Sequence, residues 1–532
     1  MSLPNRNNPY SFKEFLDWRE QVDYYADDEV LQKIVKFYAG ADFDQVDKAV
    51  RETSKKASKR WRKFSDAIGR CEERPYLIHY DGANNRIDRI VRPYNTHVLE
   101  QEIFSEALFS QDTDFWTMVT KQFVIHQNGD ACIICPLACT HGVIEAIRQL
   151  GAISPEVERI LQHCAEGIDG EFAIGAQFIS EIQGGSDIPA NLLEAVNENG
   201  TWRLYGTKFF CSATHADYCM ITAKPQDSEE VGLFVIPMWL PGDKDKEIRN
   251  GYTIDQLKYK MGTCELTTGE ITFNGALAYP VGPLNRGVAN MVGIILTLSR
   301  LDVALSAGAY MKRAAREARK YAGFREAFDS KVDQFPMIVW QLDKLDKYAN
   351  RTIAGAFRLY RDFQKMEGGL KGGLVEDESL EARKIRFAVR ELVMMQKMAT
   401  TWDATDVLRS AMSIFGGYGV MEDFSSLPRL YRDAAVNELW EGPRNVLLDQ
   451  VYRDLKRASK WYNPADFVKD ILKGFDAQVV DALAQEMVEI LTYPEYGTLS
   501  AESVKMAERW HEFVQKFMYA YQDLAILEVQ NS

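Results

Sequence analysis

The chain has 532 residues, with 63 lysines and arginines against 77 aspartates and glutamates and a formal net charge of −14. This length is enough for two to four domains, each with its own core. The acidic balance excludes a general nucleic-acid binder, because phosphate contacts need a basic surface.

The apolar segments and cysteines indicate the compartment. We expect neither a secretory signal nor a membrane span, because no basic start is followed by an apolar core and no run of about 18 apolar residues occurs. The most apolar window, MVGIILTLSRLDVAL, is interrupted by Ser299, Arg300 and Asp302. Eight cysteines in a chain of this length do not make a disulfide framework. A reducing, cytoplasmic location is therefore predicted.

The hydrophobic pattern changes twice along the chain. Segments such as FKEFLDWREQVDYY have helical spacing. Short segments rich in Val, Ile and Phe, such as EVGLFVIPMWL, then alternate with turn residues and predict strands. The resulting prediction is a mostly helical α+β fold. Its domains are an N-terminal helical domain over 1–170, a β domain over 171–285, a helical bundle over 286–457 and a helical extension over 458–532.

The stretch NELWEGPRN places Glu441 between a large aromatic ring and a glycine. Partial burial beside Trp440 would raise the pKa of this carboxylate and suit it to proton abstraction. Gly442 and Pro443 are predicted to end the preceding helix and to leave backbone N–H groups near Glu441. The alternative is a partly buried acid paired with Arg300 or Arg444.

Two glycine-rich stretches are candidate ligand contacts. In SEIQGGSDIP, Gly185 lies between Ser180 and Ser186, so the backbone can approach an anion closely. In IFGGYGV, Gly416 and Gly417 give the same freedom. The alternatives are a tight turn for the first stretch and a helix terminus for the second.

Two further stretches pair a ring with a polar group. In GTKFFCSATHADY, Phe210 and Ser212 share one strand face and could contact a planar ligand. In YAGFREAFDS, which is predicted to close a long helix, Arg325 could bind a phosphate with Phe328 packed beneath it. The alternatives are a half-buried strand and a helix-end arginine.

Taken in this order, the motifs resemble those of the acyl-CoA dehydrogenase family over residues 130–455. The correspondences are Ser180–Asp187 with the family's T-E-x-x-x-G-S-D turn, Gly206–Ser212 with G-x-K-x-W-I-T, Arg325 and Phe328 with R-x-x-F, Phe415–Gly417 with F-G-G, and Trp440–Gly442 with Y-E-G. The resemblance implies a β-barrel-like central domain and a C-terminal four-helix bundle.

The resemblance also implies FAD as cofactor and assigns roles to individual residues. Glu441 would be the base that removes the proton α to a thioester. Arg300, which lies 25 residues before Arg325, would lie near it. The implied FAD contacts are Ser180, Gly185, Ser186, Phe210, Ser212, Arg325, Phe328, Ser413, Gly416, Gly417 and Asn445. Ser413 and Asn445 stand where many members of the family have glutamine.

The implied reaction is α,β-dehydrogenation of an acyl-CoA, with hydride transfer to flavin N5 and electrons passed to an electron-transfer flavoprotein. The family resemblance also implies a homotetramer or homodimer. The W-E-G motif and the long tail are similar to the alkylation-response branch, so a DNA-associated flavoprotein is one alternative and an oxygen-using acyl-CoA oxidase is another. Residues 461–532 carry five Lys/Arg against twelve Asp/Glu, which disfavours DNA binding.

A metal site is not predicted. The stretch CIICPLACTH offers three cysteines and a histidine, but it lies in a helical region and lacks a second cysteine pair. The basic run KKASKRWRKF is interpreted as a solvated helix face. No role is assigned to His215.

Overall fold

The computed structural model describes residues 11–366, 378–493 and 498–531. It is a mostly helical α+β structure in which a sheet lies between two helical regions, so the predicted fold class is confirmed. The eight N-terminal helices are α1 (Lys13–Gln21), α2 (Glu29–Ala39), α3 (Phe43–Lys55), α4 (Arg62–Ile68), α5 (Tyr94–Phe104), α6 (Phe115–His126), α7 (Ile134–Leu150) and α8 (Pro155–Ala165).

The N-terminal region is not wholly helical, and here the sequence-based prediction was wrong. Strands β1 (Tyr76–Tyr80) and β2 (Arg86–Val91) form an antiparallel hairpin. Asn84 takes a left-handed φ of 63° in the connecting turn, a conformation that asparagine tolerates better than most residues. The turn DGANN between YLIHY and RIDRIV carried this signal.

The central sheet closes on itself. Its strands are β3 (Gly175–Phe178), β4 (Glu194–Glu198), β5 (Thr201–Ser212), β6 (Tyr218–Pro225), β7 (Gly232–Pro237), β8 (Tyr252–Leu257) and β9 (Thr268–Pro280). The pairing order β6–β4–β5–β9–β7 returns to β6, because β6 and β7 also pair. β3 joins β6 in parallel and β8 joins β9 antiparallel. The barrel-like closure leaves few exposed edges.

The C-terminal helices pack around one central helix. They are α9 (Gly287–Asn290), α10 (Leu296–Phe324), α11 (Pro336–Gln364), α12 (Leu380–Phe415), α13 (Leu427–Asn437) and α14 (Arg444–Ala458). α10 packs against both α11 and α12. Leu284–Phe324 is the described segment that is long and apolar enough to cross a membrane, and 78% of its most apolar window is buried in the protein. That burial is typical of the core helix of a bundle.

The C-terminal extension joins this core. It contains α15 (Pro464–Ile471), α16 (Ala477–Thr492) and α17 (Ala501–Gln530). α17 packs against α11 and α12, and the rings of Trp510, Phe513, Phe517 and Tyr521 are fully buried. Burial of four large aromatic side chains stabilises the attachment by several kcal/mol, at about 1.5–3 kcal/mol for a large apolar side chain.

Candidate functional site

Glu441 lies in a turn between two helices. α13 ends at Asn437 and α14 begins at Arg444, with Pro443 at its N-cap. The prediction that Gly442 and Pro443 end the preceding helix is therefore wrong, because these two residues directly precede the next helix. Proline is suited to this position because its fixed φ matches the chain entering a helix.

The backbone of this turn is constrained. Glu441 has a φ of 57° and Gly442 a φ of 101°. A Cβ on Gly442 would lie 2.9 Å from Leu447 Cδ2, so glycine is required there by both conformation and packing. A non-glycine residue with left-handed φ costs about 1–3 kcal/mol and is typical of functional positions.

Two side chains from other elements hold Glu441. Gln177 Nε2 on β3 donates to Glu441 Oε1 at 3.2 Å, and Arg300 Nε on α10 donates to the Glu441 carbonyl oxygen at 2.9 Å. Burial raises the pKa of Glu441, against the opposing positive charges of Arg300 and Lys397. The guanidinium of Arg300 thus binds the main chain at this position. The carboxylate is fixed in place with a proton affinity above that of a solvated glutamate, as a general base requires.

The amides of the turn are available to a ligand. Within the described ranges, the N–H groups of Glu441 and Gly442 donate to no protein acceptor. Arg444 is engaged elsewhere, because it donates to Met398 O at 2.9 Å and to Gln515 Oε1 at 3.1 Å. The sequence alternative of an Arg444 pair with Glu441 is therefore not what the structure shows.

Sequence reasoning missed two residues of this site, Gln177 and Lys397. Lys397 on α12 is fully buried, and its Nζ donates to the carbonyl oxygens of Glu438 at 2.9 Å and Gly442 at 2.8 Å. Gln177 Oε1 is buried without a hydrogen-bond partner in the described part of the chain. The only signal for Lys397 in the sequence was the presence of a lysine inside the apolar run VMMQKMA.

The turn Ser180–Asp187 is shaped by close packing. A Cβ on Gly185 would lie 2.2 Å from Ser180 Oγ, so glycine lets the two backbones approach. Ser186 is exposed. The buried carboxylate of Glu181 binds Lys208 Nζ at 2.8 Å and so attaches the turn to β5. Glu181 in the Ser180–Asp187 motif and Lys208 in the Gly206–Ser212 motif thus form a buried ion pair with a structural role.

Phe210 and Ser212 lie near the end of β5. The Phe210 ring is 53% exposed, and Ser212 Oγ lies 3.3 Å from Thr268 Oγ1. The pairing of β5 with β9 is irregular between Lys208 and Cys211, and both of these side chains are buried. The irregularity leaves the Phe210 ring outside the barrel, where a ligand can reach it.

A second group of predicted residues lines a cavity of about 570 Å³. Arg325 supplies a cation there, and Gly416 and Gly417 form part of the wall. A Cβ on either glycine would meet no described atom within 4 Å, so any larger side chain would enter the open space. A wide cavity with a cation and bare backbone fits a large anionic ligand such as the diphosphate-bearing part of FAD.

The remaining predicted contacts are exposed. Helix α10 ends at Phe324, and Phe328 lies in the tight turn between β10 (Glu326–Ala327) and β11 (Ser330–Lys331), with a φ of 51° and 92% of its surface exposed. The sequence had placed this residue in a segment closing the helix. Ser413 and Asn445 are also exposed, on α12 and α14. The structure brings Glu441 together with Arg300 and Ser180 together with Gly185. It also places Arg325, Gly416 and Gly417 around one cavity.

One buried cluster resembles a metal site but is already charge-balanced. Glu100, Cys132 and His215 place three ligand atoms within 4.8 Å of one another. Arg92 donates to Glu100 Oε1, the oxygen that His215 also contacts. Burial opposes ionisation of Glu100, but His215 and Arg92 outweigh it and lower the pKa to about 2. We interpret the cluster as a charge network between the N-terminal helices and the barrel.

Comparison with known sequences identifies the relatives of this chain. Two family descriptions match, the acyl-CoA dehydrogenase middle domain over residues 176–276 and the acyl-CoA dehydrogenase C-terminal domain over 285–456. Together they cover just over half of the chain. Acyl-CoA dehydrogenase family member 11 of Caenorhabditis elegans is 28% identical over 402 residues, which span 72% of this chain and 62% of the worm protein. AidB of Escherichia coli strain K12 is 26% identical over 404 residues, or 73% and 70% of the two chains.

Solved structures share the fold over nearly the whole length. The apo-form of Bd2924 superposes with a TM-score of 0.83 and 24% identity, covering 96% of this chain and 98% of that one. The Caenorhabditis elegans ACDH-11 complex with C11-CoA superposes with a TM-score of 0.78 and 21% identity, covering 96% and 91%. Because the two family descriptions match just over half of its residues, the chain belongs to the acyl-CoA dehydrogenase family of FAD-dependent oxidoreductases.

Proposed function

We propose that the protein is an FAD-dependent acyl-CoA dehydrogenase in which Glu441 removes the α proton of an acyl-CoA thioester. The observation that carries this proposal is the Glu441 turn. Its carboxylate is partly buried, has a raised pKa and accepts a hydrogen bond from Gln177, while Arg300 holds the main-chain carbonyl of the same residue. A carboxylate held this way is a better match for a weak carbon acid than one in water.

The chain supplies three functions at this position. Glu441 accepts the α proton, and Arg300 holds the main chain so that the carboxylate cannot withdraw. The unengaged N–H groups of Glu441 and Gly442 can donate to the thioester oxygen as it gains negative charge. Bound FAD supplies the acceptor for the hydride that leaves the β carbon.

The proposed FAD contacts fall into two groups of residues. Ser180, Gly185, Ser186, Phe210 and Ser212 would contact the flavin and pyrophosphate. In the second group, Arg325 and Phe328 would reach the FAD of a neighbouring subunit, and Ser413, Gly416, Gly417 and Asn445 would add further contacts to the cofactor. The exposure of Phe328 and the cavity beside Arg325 support a ligand shared across a subunit interface, in a homotetramer or homodimer.

Filling the cavity should weaken FAD binding without unfolding the protein. In Gly417→Leu the new Cβ would meet no described atom within 4 Å, and the rest of the side chain would extend into the ligand space. We expect FAD affinity to fall about 5- to 150-fold, since overpacking costs about 1–3 kcal/mol. Flavin absorbance per chain during dialysis measures this loss. Gly82→Leu, at an exposed glycine with equally open surroundings, is the control and should retain FAD.

The activity is tested with a panel of acyl-CoAs, an artificial electron acceptor and purified protein. The C11-CoA complex of ACDH-11 makes a medium-length acyl chain a rational first substrate. The protein should be purified yellow, with about one FAD per chain as the family implies. Reduction of the flavin by at least one acyl-CoA supports the proposal. A protein that cannot be reconstituted with FAD, or that no thioester reduces, would refute it.

The electron acceptor is proposed to be an electron-transfer flavoprotein. A relative from Acetobacterium woodii is named as a subunit of a caffeyl-CoA reductase–Etf complex and is 24% identical over 275 residues. Anaerobic reduction followed by exposure to air separates this proposal from the oxidase alternative. Rapid reoxidation by oxygen would identify an oxidase. We retain the cytoplasmic location and the bounds of the four domains as proposals.

A further inference from the structure

Three carbonyl groups in the turn that carries Glu441 accept hydrogen bonds from buried cations. Lys397 binds the carbonyls of Glu438 and Gly442, three residues before and one residue after the proposed base. Arg300 binds the carbonyl of Glu441 itself. The turn is thereby attached to α12 by one ammonium group and to α10 by one guanidinium group.

The position of Lys397 is costly for an ammonium group. Its side chain has no exposed surface, and Met394, Met398 and Ala399 around it on α12 are buried. Burial without compensation would cost several kcal/mol, so its hydrogen bonds and charged neighbours must offset the lost hydration. Burial lowers the pKa of Lys397 to about 7.

The charged groups that face Lys397 come from three elements. Glu441 and Glu438 in the turn favour its charged form, whereas Arg300 on α10 and Arg444 on α14 oppose it. The carboxylate of Glu438 is also the acceptor of Thr405 Oγ1 on α12. Lys397 is thus the charged donor on α12 that reaches both ends of the Glu441 turn.

We propose that Lys397 is a positioning residue for Glu441, because it holds the carbonyl groups on both sides of the base and fixes its left-handed backbone. This inference rests on the proposed function, in which Glu441 is the base. Without these two bonds, the strained φ of 57° at Glu441 loses part of the support that stabilises it. The positive charge of Lys397 also favours the ionised carboxylate that proton abstraction needs.

The charge effect has a predictable sign. Burial raises the pKa of Glu441 and Lys397 lowers it. Removing the positive charge therefore raises the pKa of Glu441 further, and the base becomes protonated at a higher pH. The acid limb of the kcat/KM profile should move towards higher pH in a variant without that charge, which a purely structural role would not produce.

The first experiment compares Lys397→Met, Lys397→Arg and Lys312→Met in the FAD-loaded enzyme. Lys312 is the matched control, since its side chain is 12% exposed on α10 and binds Asn350 at 2.8 Å and Asp28 at 3.1 Å. Lys397→Met should lower kcat about 10- to 10²-fold, because small misplacements of a reacting group cost this much. KM should change less than kcat, and the acid limb should move up.

Lys397→Arg keeps the positive charge, so the acid limb of its kcat/KM profile should lie at the same pH as in the wild type. Lys312→Met should leave both kcat and the pH profile as in the wild type. If Lys397→Met does not fold, Lys397→Gln replaces it as a neutral variant that retains donors, and its acid limb should also move up. An unchanged kcat and acid limb in the neutral variant would overturn the inference.

A second readout does not depend on activity. The N–H groups of Glu438, Leu439 and Trp440 are hydrogen-bonded to Ala434 and Val436. Their amide hydrogen exchange should be faster in the neutral Lys397 variant than in Lys312→Met, because only the first loses the anchor of the turn. If no acyl-CoA reduces the wild-type flavin, the proposed function fails, but this exchange still decides whether Lys397 orders the turn. Equal exchange in both variants would refute the anchoring role.

Discussion

Replacing Glu441 with glutamine is expected to slow flavin reduction by the best acyl-CoA at least about 10²-fold, the usual scale for a lost general base. The amide keeps the size of the side chain, and the main-chain bond to Arg300 does not involve it. FAD content and the thermal midpoint should therefore stay near wild-type values. Single-turnover mixing with substrate measures the chemical step directly.

The matched control is Glu438→Gln, three residues away in the same turn. Its carboxylate accepts a hydrogen bond from Thr405 Oγ1, and Lys397 uses its main-chain oxygen. This variant should keep most of the wild-type reduction rate. Equal rates for Glu441→Gln and the wild type would remove Glu441 from the mechanism. Equal losses in both variants would show that the turn needs its charges and that neither acid is the unique base.

The pH dependence of the reaction follows from the carboxylate of Glu441. Burial raises the pKa of Glu441, so the unprotonated base is lost at a higher pH than for a solvated glutamate. The wild-type kcat/KM should fall with decreasing pH above the ordinary glutamate range near 4.3. A profile that stays flat through that range would contradict the assignment.

The fold was predictable where local pattern decides structure. Strands such as β7, which is buried along its whole length, appear in the sequence as continuous apolar runs between turn residues. The β1–β2 hairpin was missed because it is short and stands between long helices. The DGANN turn between its two strands was nevertheless present in the sequence. The closure of the barrel depends on pairings between distant segments, such as β5 with β9 and β7 with β9, which no local pattern encodes.

The candidate site was only partly accessible from sequence. Glu441 stands out because Trp440 and Gly442 flank it, and motif spacing adds Arg300. Gln177 and Lys397 carry no comparable mark. Lys397 lies on α12, 44 residues from Glu441, and its bonds to Glu438 and Gly442 of the turn exist only after α12 packs against it. The same holds for the placement of Gly442, since its role at the start of α14 depends on where the preceding helix ends.

Breaking the Glu181–Lys208 pair is expected to destabilise the folded protein strongly, because both partners are buried. Lys208 has no exposed side-chain surface, and Glu181 is 3% exposed. Burial opposes ionisation of Glu181, but Lys208 and the N–H of Leu192 hold its pKa below the usual range. Lys208→Met leaves this charge unpaired and should cost about 3–5 kcal/mol. The shift of the urea midpoint measures it.

The sign of the pH effect is fixed by the direction of that shift. Because the folded pKa of Glu181 is lowered, its stabilisation is present above the unfolded pKa of about 4.3 and is lost as pH falls through the folded value. The difference in the free energy of unfolding between the wild type and Lys208→Met should therefore become smaller at acidic pH. Lys224→Met is the control, since Lys224 lies 3.5 Å from a fully exposed Glu229, and it should cost about 0–1 kcal/mol.

The double variant Glu181→Gln/Lys208→Met distinguishes pairing from packing. Removing both charges eliminates the unpaired carboxylate, so the double variant should recover much of the stability that the single variant loses. A double variant as unstable as Lys208→Met would mean that the buried lysine chain, rather than its charge, holds β5 against the turn. Because this turn carries Ser180 and Gly185, recovered stability without recovered FAD binding would further show that the ion pair shapes the cofactor contacts.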